Sequence, residues 1–159
     1  METPLSAASQ IAIATLKERA PEAFELAGSF KAAGFRLALV GGTVRDALLN
    51  RLGNDLDFTT DAKPEESKKI LKKFADDIWD VGIKFGTIGA KRNETTFEVT
   101  TYRADSYEAD TRKPEVQFGD TIEDDLRRRD FTVNAMAIEL TTDAPEFIDP
   151  YNGVTDLLK

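Results

Sequence analysis

Hydrophobic positions in the first part of the chain recur at helical spacing. Over residues 6–20, Ile11, Leu16 and several alanines form one apolar face, and a proline follows directly. A second helix is predicted over residues 22–33, closed by Gly34, because glycine readily takes the left-handed conformation found after a helix end. The pattern therefore predicts that the chain begins with two helices.

After these helices the pattern changes to that of strands. Residues 35–40 (FRLALV) are a short apolar run of the kind that forms a buried strand. Residues 54–60 (NDLDFTT) alternate, so that Leu56 and Phe58 point to one side and the neighbouring aspartates to the other. Further strands are predicted over residues 78–83, 86–92 and 96–103, with a tight turn near Asn93 joining the last two.

Helices and one long loop are predicted between and after these strands. Thr43 is placed to cap a short helix, and Pro64 begins a longer one that runs to about Phe74. Residues 104–119 are polar and without periodicity, which predicts a long mobile loop, and residues 121–128 return to a helical pattern. This order of elements predicts an α/β protein, in the α+β sense, with a small, partly antiparallel sheet flanked by helices.

Composition narrows the chemistry that these 159 residues can perform. The absence of cysteine and histidine excludes disulfides, thiolate metal sites, histidine-ligated zinc and catalysis by a histidine base. The formal net charge of −8 is unlike that of a general nucleic-acid binder. No apolar run approaches the roughly 20 residues of a membrane span, and the N-terminus has no secretory pattern, so we expect a cytoplasmic protein.

Asp55 and Asp57 are the first candidate for a functional site. On a strand they project from the same face, roughly 6–7 Å apart. Two carboxylates that close repel each other unless a cation lies between them, and their hard oxygens suit Mg²⁺ together with water and substrate phosphates. Two such ions can stabilise the attacking and leaving oxygens of a phosphoryl displacement. The alternative interpretation is a solvated strand edge.

The glycine pair Gly41-Gly42 is the second candidate. Backbone N–H groups beside glycine can approach a ligand closely, and a predicted helix N-terminus follows at once, a combination that binds phosphate. Arg45, one helical turn later, adds a charge-assisted bond to the same phosphates. The segment matches neither a P-loop nor a G-x-G-x-x-G pattern. The alternative is a strand-to-helix turn with an exposed arginine.

The segment RRRDFTVNA, residues 127–135, is the third candidate. One of its arginines is suited to hold a triphosphate, and Asp130 or Asn134 to meet ribose hydroxyls. The alternative is a surface helix whose arginines pair with Glu123 and the two aspartates that follow it. Glu98 lies on the polar side of its strand, where it either adds a third carboxylate to the aspartate pair or faces solvent.

These motifs, taken in order, resemble those of class II tRNA nucleotidyltransferases and bacterial poly(A) polymerases. They are GGTVRD, DLD, EVTTYR and RRDFTVNAMA, and the closing DPYNGVTDLL is similar to the family's exit from its head domain. The resemblance covers about residue 34 to the C-terminus, and RRDFTVNA is its most specific piece. It implies a catalytic head with the nucleotidyltransferase fold of the DNA polymerase β-like superfamily.

The resemblance also implies an activity and roles for individual residues. The 3′-hydroxyl of an RNA attacks the α-phosphate of CTP or ATP and pyrophosphate leaves, so the implied partners are NTPs and the tRNA 3′ end, with no membrane. Asp55 and Asp57 would hold Mg²⁺, two ions in all, and Glu98 lies near the expected third catalytic carboxylate. The implied nucleotide-binding positions are Gly41, Gly42, Arg45, Arg129, Asp130 and Asn134.

A division of the chain is implied as well. Residues 1–34 would be helices packed on the head, residues 35–150 the head itself, and residues 151–159 the start of a neck helix. The neck, body and tail regions that grip tRNA would lie outside this sequence. The resemblance leaves open a CCA-adding enzyme, a poly(A) polymerase, or a truncated module that binds Mg²⁺-NTP without turnover. EDDLR, residues 123–127, fits the family's base-selecting template motif, but its place before RRDFT predicts a helix that leads into that segment.

Overall fold

A computed structural model of the chain describes residues 4–82, 86–103, 121–129 and 131–157. The predicted loop over residues 104–119 lies outside these ranges. The helices are α1 (Pro4–Arg19), α2 (Glu22–Ala32), α3 (Gly42–Leu48), α4 (Pro64–Phe74), α5 (Ile122–Arg127) and α6 (Gly153–Leu157), with a 3-10 helix at Thr132–Asn134. The strands are β1 (Leu37–Val40), β2 (Asp55–Thr60), β3 (Asp77–Gly82), β4 (Thr87–Arg92), β5 (Thr95–Thr101), β6 (Ala137–Glu139) and β7 (Glu146–Ile148).

The strands form one mixed sheet in the order β3-β4-β5-β2-β1-β6-β7. Among the described strands β2 and β5 pair in parallel, and the other neighbours are antiparallel. The α/β fold with a mixed sheet flanked by helices is confirmed, and with seven strands in the described ranges the sheet is larger than the sequence pattern suggested. The parallel pair brings together two strands that are separated in the chain by α4, β3 and β4. The chain turns from β4 into β5 at Asn93, whose φ is 56°.

One face of the sheet is packed against α1 to α4 and contains the main core. The buried side chains of β2 and β5 point to this face, which is why Leu56, Phe58, Phe97 and Val99 alternate with polar residues in the sequence. Phe97 stacks on Phe58 with 6.1 Å between ring centroids and meets Phe74 of α4 edge-on at 5.2 Å. These contacts fix the register of β2 and β5 relative to each other.

The apolar face of α1 differs from the one predicted. Ile11 is half-exposed, and the buried apolar residues among the described side chains of α1 are Ala8, Ala12 and Leu16, which lie at a spacing of four residues. The prediction was wrong for Ile11 because the helix buries its small residues, and the alanine row allows the helix to lie close to its neighbours. Within the described residues no helix is long and apolar enough to cross a membrane.

The opposite face of the sheet is covered only in part by described residues. Ile122 and Leu126 of α5 pack over β1 and β6 in a second, smaller apolar cluster that includes Val40 and Tyr102. Thr121 caps α5, since its hydroxyl accepts a hydrogen bond from the backbone N–H of Asp124 at 3.2 Å. On this same face the β2 and β5 positions carry polar side chains, and the candidate site lies there.

Candidate active site

The carboxylates meet because of the parallel register between β2 and β5. Asp57 is paired with Glu98, and Asp55 with Thr96, so the acidic side chains share one face while their apolar neighbours enter the core. Asp55, Asp57 and Glu98, with Leu56 and Thr96, line a cavity of about 300 Å³. The predicted common face of Asp55 and Asp57 and the nearness of Glu98 are therefore both present in the structure.

Asp57 is the electrostatically unusual member of this group. Loss of hydration is the largest cause that raises its pKa from 3.8 to about 6, followed by repulsion from Glu98 and a hydrogen bond shared with that side chain. Asp57 as a whole residue is exposed to solvent. Its carboxylate is nevertheless crowded by protein atoms in the cavity, and this group is the part of the residue that loses hydration. Asp55 raises this pKa further and Arg129 opposes the change. The site therefore concentrates negative charge and favours either a proton or a cation.

The stability of the metal-free chain should depend on pH through Asp57. Because its pKa is raised from 3.8 to about 6 on folding, the folded state holds an extra proton between these values. The stabilisation that this proton gives to the folded state is complete below about pH 4 and is lost as the pH rises through about 6. Urea unfolding of the wild-type chain in the presence of a chelator should therefore show a loss of stability from about pH 4 to about pH 6 that Asp57→Asn lacks. Identical pH profiles for the two proteins would contradict the raised pKa of Asp57.

The donor set fits Mg²⁺, although the protein supplies only part of a coordination shell. Carboxylate oxygens are the ligands this ion prefers, and it typically keeps waters and takes substrate phosphates as well. Within the described ranges no group of three or more acidic side chains converges so that it alone could hold a metal ion. Asp55 and Asp57 are the residues that could hold Mg²⁺, and water and phosphate oxygens would complete its shell.

The glycine turn is joined to the carboxylates by a hydrogen bond. The Thr43 hydroxyl accepts from the backbone N–H of Asp57 at 3.0 Å, and Thr43 is buried. Thr43 is therefore not the helix cap that the sequence predicted, because α3 begins one residue earlier, at Gly42, with Gly41 as its N-cap. Gly41 has φ 67° and ψ −140°, a conformation that side chains oppose, so the turn requires glycine there.

Two arginines fold over the glycine turn. The Arg129 Nη1 atom lies 3.1 Å from the point where a Cβ on Gly41 would be, and the Arg45 Nη2 atom lies 3.1 Å from the same point on Gly42. Arg45 also donates from Nη1 to the Asn134 Oδ1 atom at 3.2 Å. The two glycines, both arginines and Asn134 therefore form one cluster, which we call the guanidinium cluster.

Asp125 is the functional neighbour that the sequence interpretation missed. It was grouped with acids that pair on a surface helix, and that interpretation holds for the exposed pair of Asp124 and Arg127 at 2.7 Å. Asp125 itself is fully buried and accepts from Arg128 at 3.2 Å and from Arg129 at 3.0 Å. The sequence did contain a signal for the burial of Asp125, because this residue lies three positions after Ile122, on the helix face that enters the core.

Asp125 also fixes the direction of the Arg129 side chain. Its Oδ1 atom, which accepts from Arg128, also accepts from the backbone N–H of Arg103 at 3.1 Å, so α5 is tied to the segment after β5. The Arg129 Nη2 atom is held by Asp125, which leaves Nη1 over the turn at Gly41. The remaining predicted residue, Asp130, lies outside the described residues.

Comparisons with known proteins agree on the family of this chain. A family model described as Poly A polymerase head domain matches residues 37–159. A CCA-adding enzyme of Enterococcus faecalis is 42% identical over 146 residues, which is 91% of this chain and 34% of the relative. A CCA-adding enzyme of Streptococcus thermophilus is 43% identical over 137 residues, or 86% of this chain and 32% of the relative. The chain thus spans about a third of the length of the curated relatives it matches.

Solved structures show the same similarity. A Bacillus stearothermophilus CCA-adding enzyme in complex with CTP superimposes with a TM-score of 0.71 at 35% identity, covering 87% of this chain and 31% of that one. A tRNA nucleotidyltransferase complexed with a primer tRNA and an incoming ATP analog gives a TM-score of 0.67 at 32% identity, covering 84% and 36%. The fold that the motifs implied is therefore confirmed.

Proposed function

Because the chain belongs to the poly(A) polymerase head domain family, we propose that it is the catalytic head of a tRNA nucleotidyltransferase. The head transfers CMP or AMP from CTP or ATP to the 3′-hydroxyl of tRNA, with release of pyrophosphate. The observation that carries this proposal is the hydrogen bond from Asp57 to Thr43, since it places the carboxylate face directly beside the guanidinium cluster. Relatives described as CCA-adding enzymes support the same reaction.

Each group of residues has a distinct part in this reaction. Arg129 and Arg45 bind the triphosphate and balance its charge, and the glycine turn lets the phosphates approach the backbone. Asp55 and Asp57 would hold Mg²⁺, and two such ions would supply positive charge at the attacking and leaving oxygens. Glu98 lies beside Asp57 on the side away from the guanidinium cluster, where it faces the incoming hydroxyl.

Ribose recognition is assigned to the residues that follow Arg129. Asn134 is positioned by its hydrogen bond from Arg45, and Asp130 lies between them in the sequence. We assign the tRNA grip to neck, body and tail regions like those expected from the longer relatives. Residues 1–34 serve as supporting helices, residues 35–150 as the head, and residues 151–159 as the beginning of the neck.

A poly(A) polymerase is the second candidate, because the matching family is described by that activity. A primer-extension assay separates the candidates, with Mg²⁺, tRNA lacking its 3′ end, and each NTP supplied singly. Incorporation of CMP followed by AMP supports tRNA end synthesis, and repeated AMP addition alone supports poly(A) synthesis. NTP binding without any incorporation would make the chain a binding module.

Arg129→Ala should weaken NTP binding roughly 10- to 100-fold, because losing a charge-assisted hydrogen bond costs about 1.5–3 kcal/mol. Isothermal titration calorimetry with CTP and Mg²⁺ measures the change. Arg127→Ala is the matched control, since that arginine is exposed and pairs with Asp124 on the far side of α5. Equal CTP affinity in the Arg129→Ala and wild-type proteins would remove Arg129 from the nucleotide site.

A further inference from the structure

A single row of residues runs across four strands on the open face of the sheet. Trp79 of β3 is paired with Gly89 of β4, Gly89 with Glu98 of β5, and Glu98 with Asp57 of β2. Paired residues in neighbouring strands project from the same face. The row therefore places a tryptophan at one end of the sheet on the same face as the proposed catalytic carboxylates.

The indole of Trp79 lies over Gly89 and extends toward Glu98. A Cβ on Gly89 would lie 2.4 Å from the indole Nε1 atom and 2.5 Å from Cε2, so the ring occupies the space that a side chain at position 89 would fill. Neighbouring strands are about 4.8 Å apart, which puts the Cα of Trp79 about 10 Å from that of Glu98. Within the described part of the chain the tryptophan remains 40% exposed.

The position of Trp79 relative to the guanidinium cluster indicates which part of the substrates this side chain would contact. The sheet order places β1 and the glycine turn on one side of β2, and β5, β4 and β3 on the other. In the proposed reaction the triphosphate of the NTP lies next to Arg129 and Arg45, on the β1 side of β2. The acceptor hydroxyl must then approach from the opposite side, across Glu98 and Gly89, which brings the terminal bases of the acceptor strand over the indole.

We propose that Trp79, supported by Gly89, is a stacking platform for a base near the 3′ end of the acceptor RNA. Aromatic side chains stack on nucleobases without regard to sequence, and they do so together with cations that contact the backbone. Lys91 is exposed and lies two residues after Gly89 on β4, so it shares this face and is placed to meet a phosphate of the same strand. This inference rests on the proposed function, because that function requires an acceptor strand.

The chain contains one tryptophan, so its intrinsic fluorescence reports on this platform directly. Titration with a short single-stranded oligoribonucleotide that ends in cytidine should quench the emission, and titration with CTP and Mg²⁺ should not. Quenching by CTP instead would assign the platform to the incoming nucleotide and overturn the proposal. Absence of RNA quenching up to about 1 mM, above the usual range of nonspecific nucleic-acid affinities, would overturn it as well.

Variants test the proposed stacking platform without relying on tryptophan fluorescence. Trp79→Ala should weaken binding of a labelled oligoribonucleotide about tenfold in fluorescence anisotropy, and Trp79→Phe should retain most of the affinity. Gly89→Ala keeps the indole but pushes it out of position, and should give a loss like that of Trp79→Ala. Circular dichroism verifies that each variant is folded.

Ile11→Ala is the control, because Ile11 is 51% exposed and lies on α1, which packs on the opposite face of the sheet. An equal loss of RNA affinity in Ile11→Ala and Trp79→Ala would overturn the proposal. RNA quenching without nucleotide incorporation would support the platform and contradict the proposed reaction. Incorporation with the same acceptor KM in wild type and Trp79→Ala would support the reaction and contradict the platform.

Discussion

Replacing Asp57 by asparagine should lower the rate of nucleotide transfer at least about 1,000-fold, which corresponds to about 4 kcal/mol of lost transition-state stabilisation. The change removes the charge that would bind Mg²⁺ but keeps the size and shape of the side chain. The fold should persist, because an amide at this position can donate a hydrogen bond to Glu98 without the repulsion that now raises the pKa of Asp57. Primer extension with CTP and Mg²⁺ measures the rate.

Asp143→Asn serves as the control for the loss of one negative charge. The Asp143 side chain is fully exposed and lies 3.8 Å from Lys31, far from the carboxylate face in the sheet order. This variant should transfer nucleotides at the wild-type rate. An Asp57→Asn protein with transfer within tenfold of wild type would exclude Asp57 as a ligand of a required metal ion.

Asp125→Ala should destabilise the protein by about 3–5 kcal/mol, the usual cost of breaking a buried ion pair by removal of one partner. Two guanidinium groups, those of Arg128 and Arg129, then lose the carboxylate that neutralises them. The Nε atoms of both arginines are already buried without a hydrogen-bond partner in the described structure, so little is left to compensate. Urea denaturation followed by circular dichroism gives the free energy of unfolding.

Asp124→Ala is the neighbouring control on the same helix. Asp124 pairs with Arg127, which is 68% exposed, and pairs of this kind contribute about 1 kcal/mol or less. The two variants should therefore differ by at least about 2 kcal/mol in unfolding free energy. Equal destabilisation would show that Asp125 is no more important to the fold than a surface carboxylate.

The sequence predicted those parts of the molecule that depend on local periodicity. The alternation around Asp55 and Asp57 placed both carboxylates on one face, and the glycine at position 41 indicated a tight turn, because each is a property of a few consecutive residues. The family resemblance placed Glu98 near these aspartates. Its pairing with Asp57 itself became visible only in the parallel register of β2 and β5.

Local sequence patterns did not predict the contacts between segments that are distant in the chain. Thr43 was predicted to cap its own helix, and instead it accepts a hydrogen bond from a residue fourteen positions later. Asp125 was grouped with surface acids because a charged residue is usually solvated, whereas here two arginines make its burial tolerable. The alignment of Trp79 with the carboxylates depends on three successive strand pairings, none of which is encoded within a single segment.

The packing of Phe97 against Phe58 and Phe74 has a consequence for chains that fold incorrectly. A slip of β5 by one residue would turn Phe97 out of the core and Glu98 into it, so an incorrectly paired sheet loses its packing and its carboxylate site together. A chain with this register error is therefore expected to lack the carboxylate face as well as the packing that stabilises the sheet.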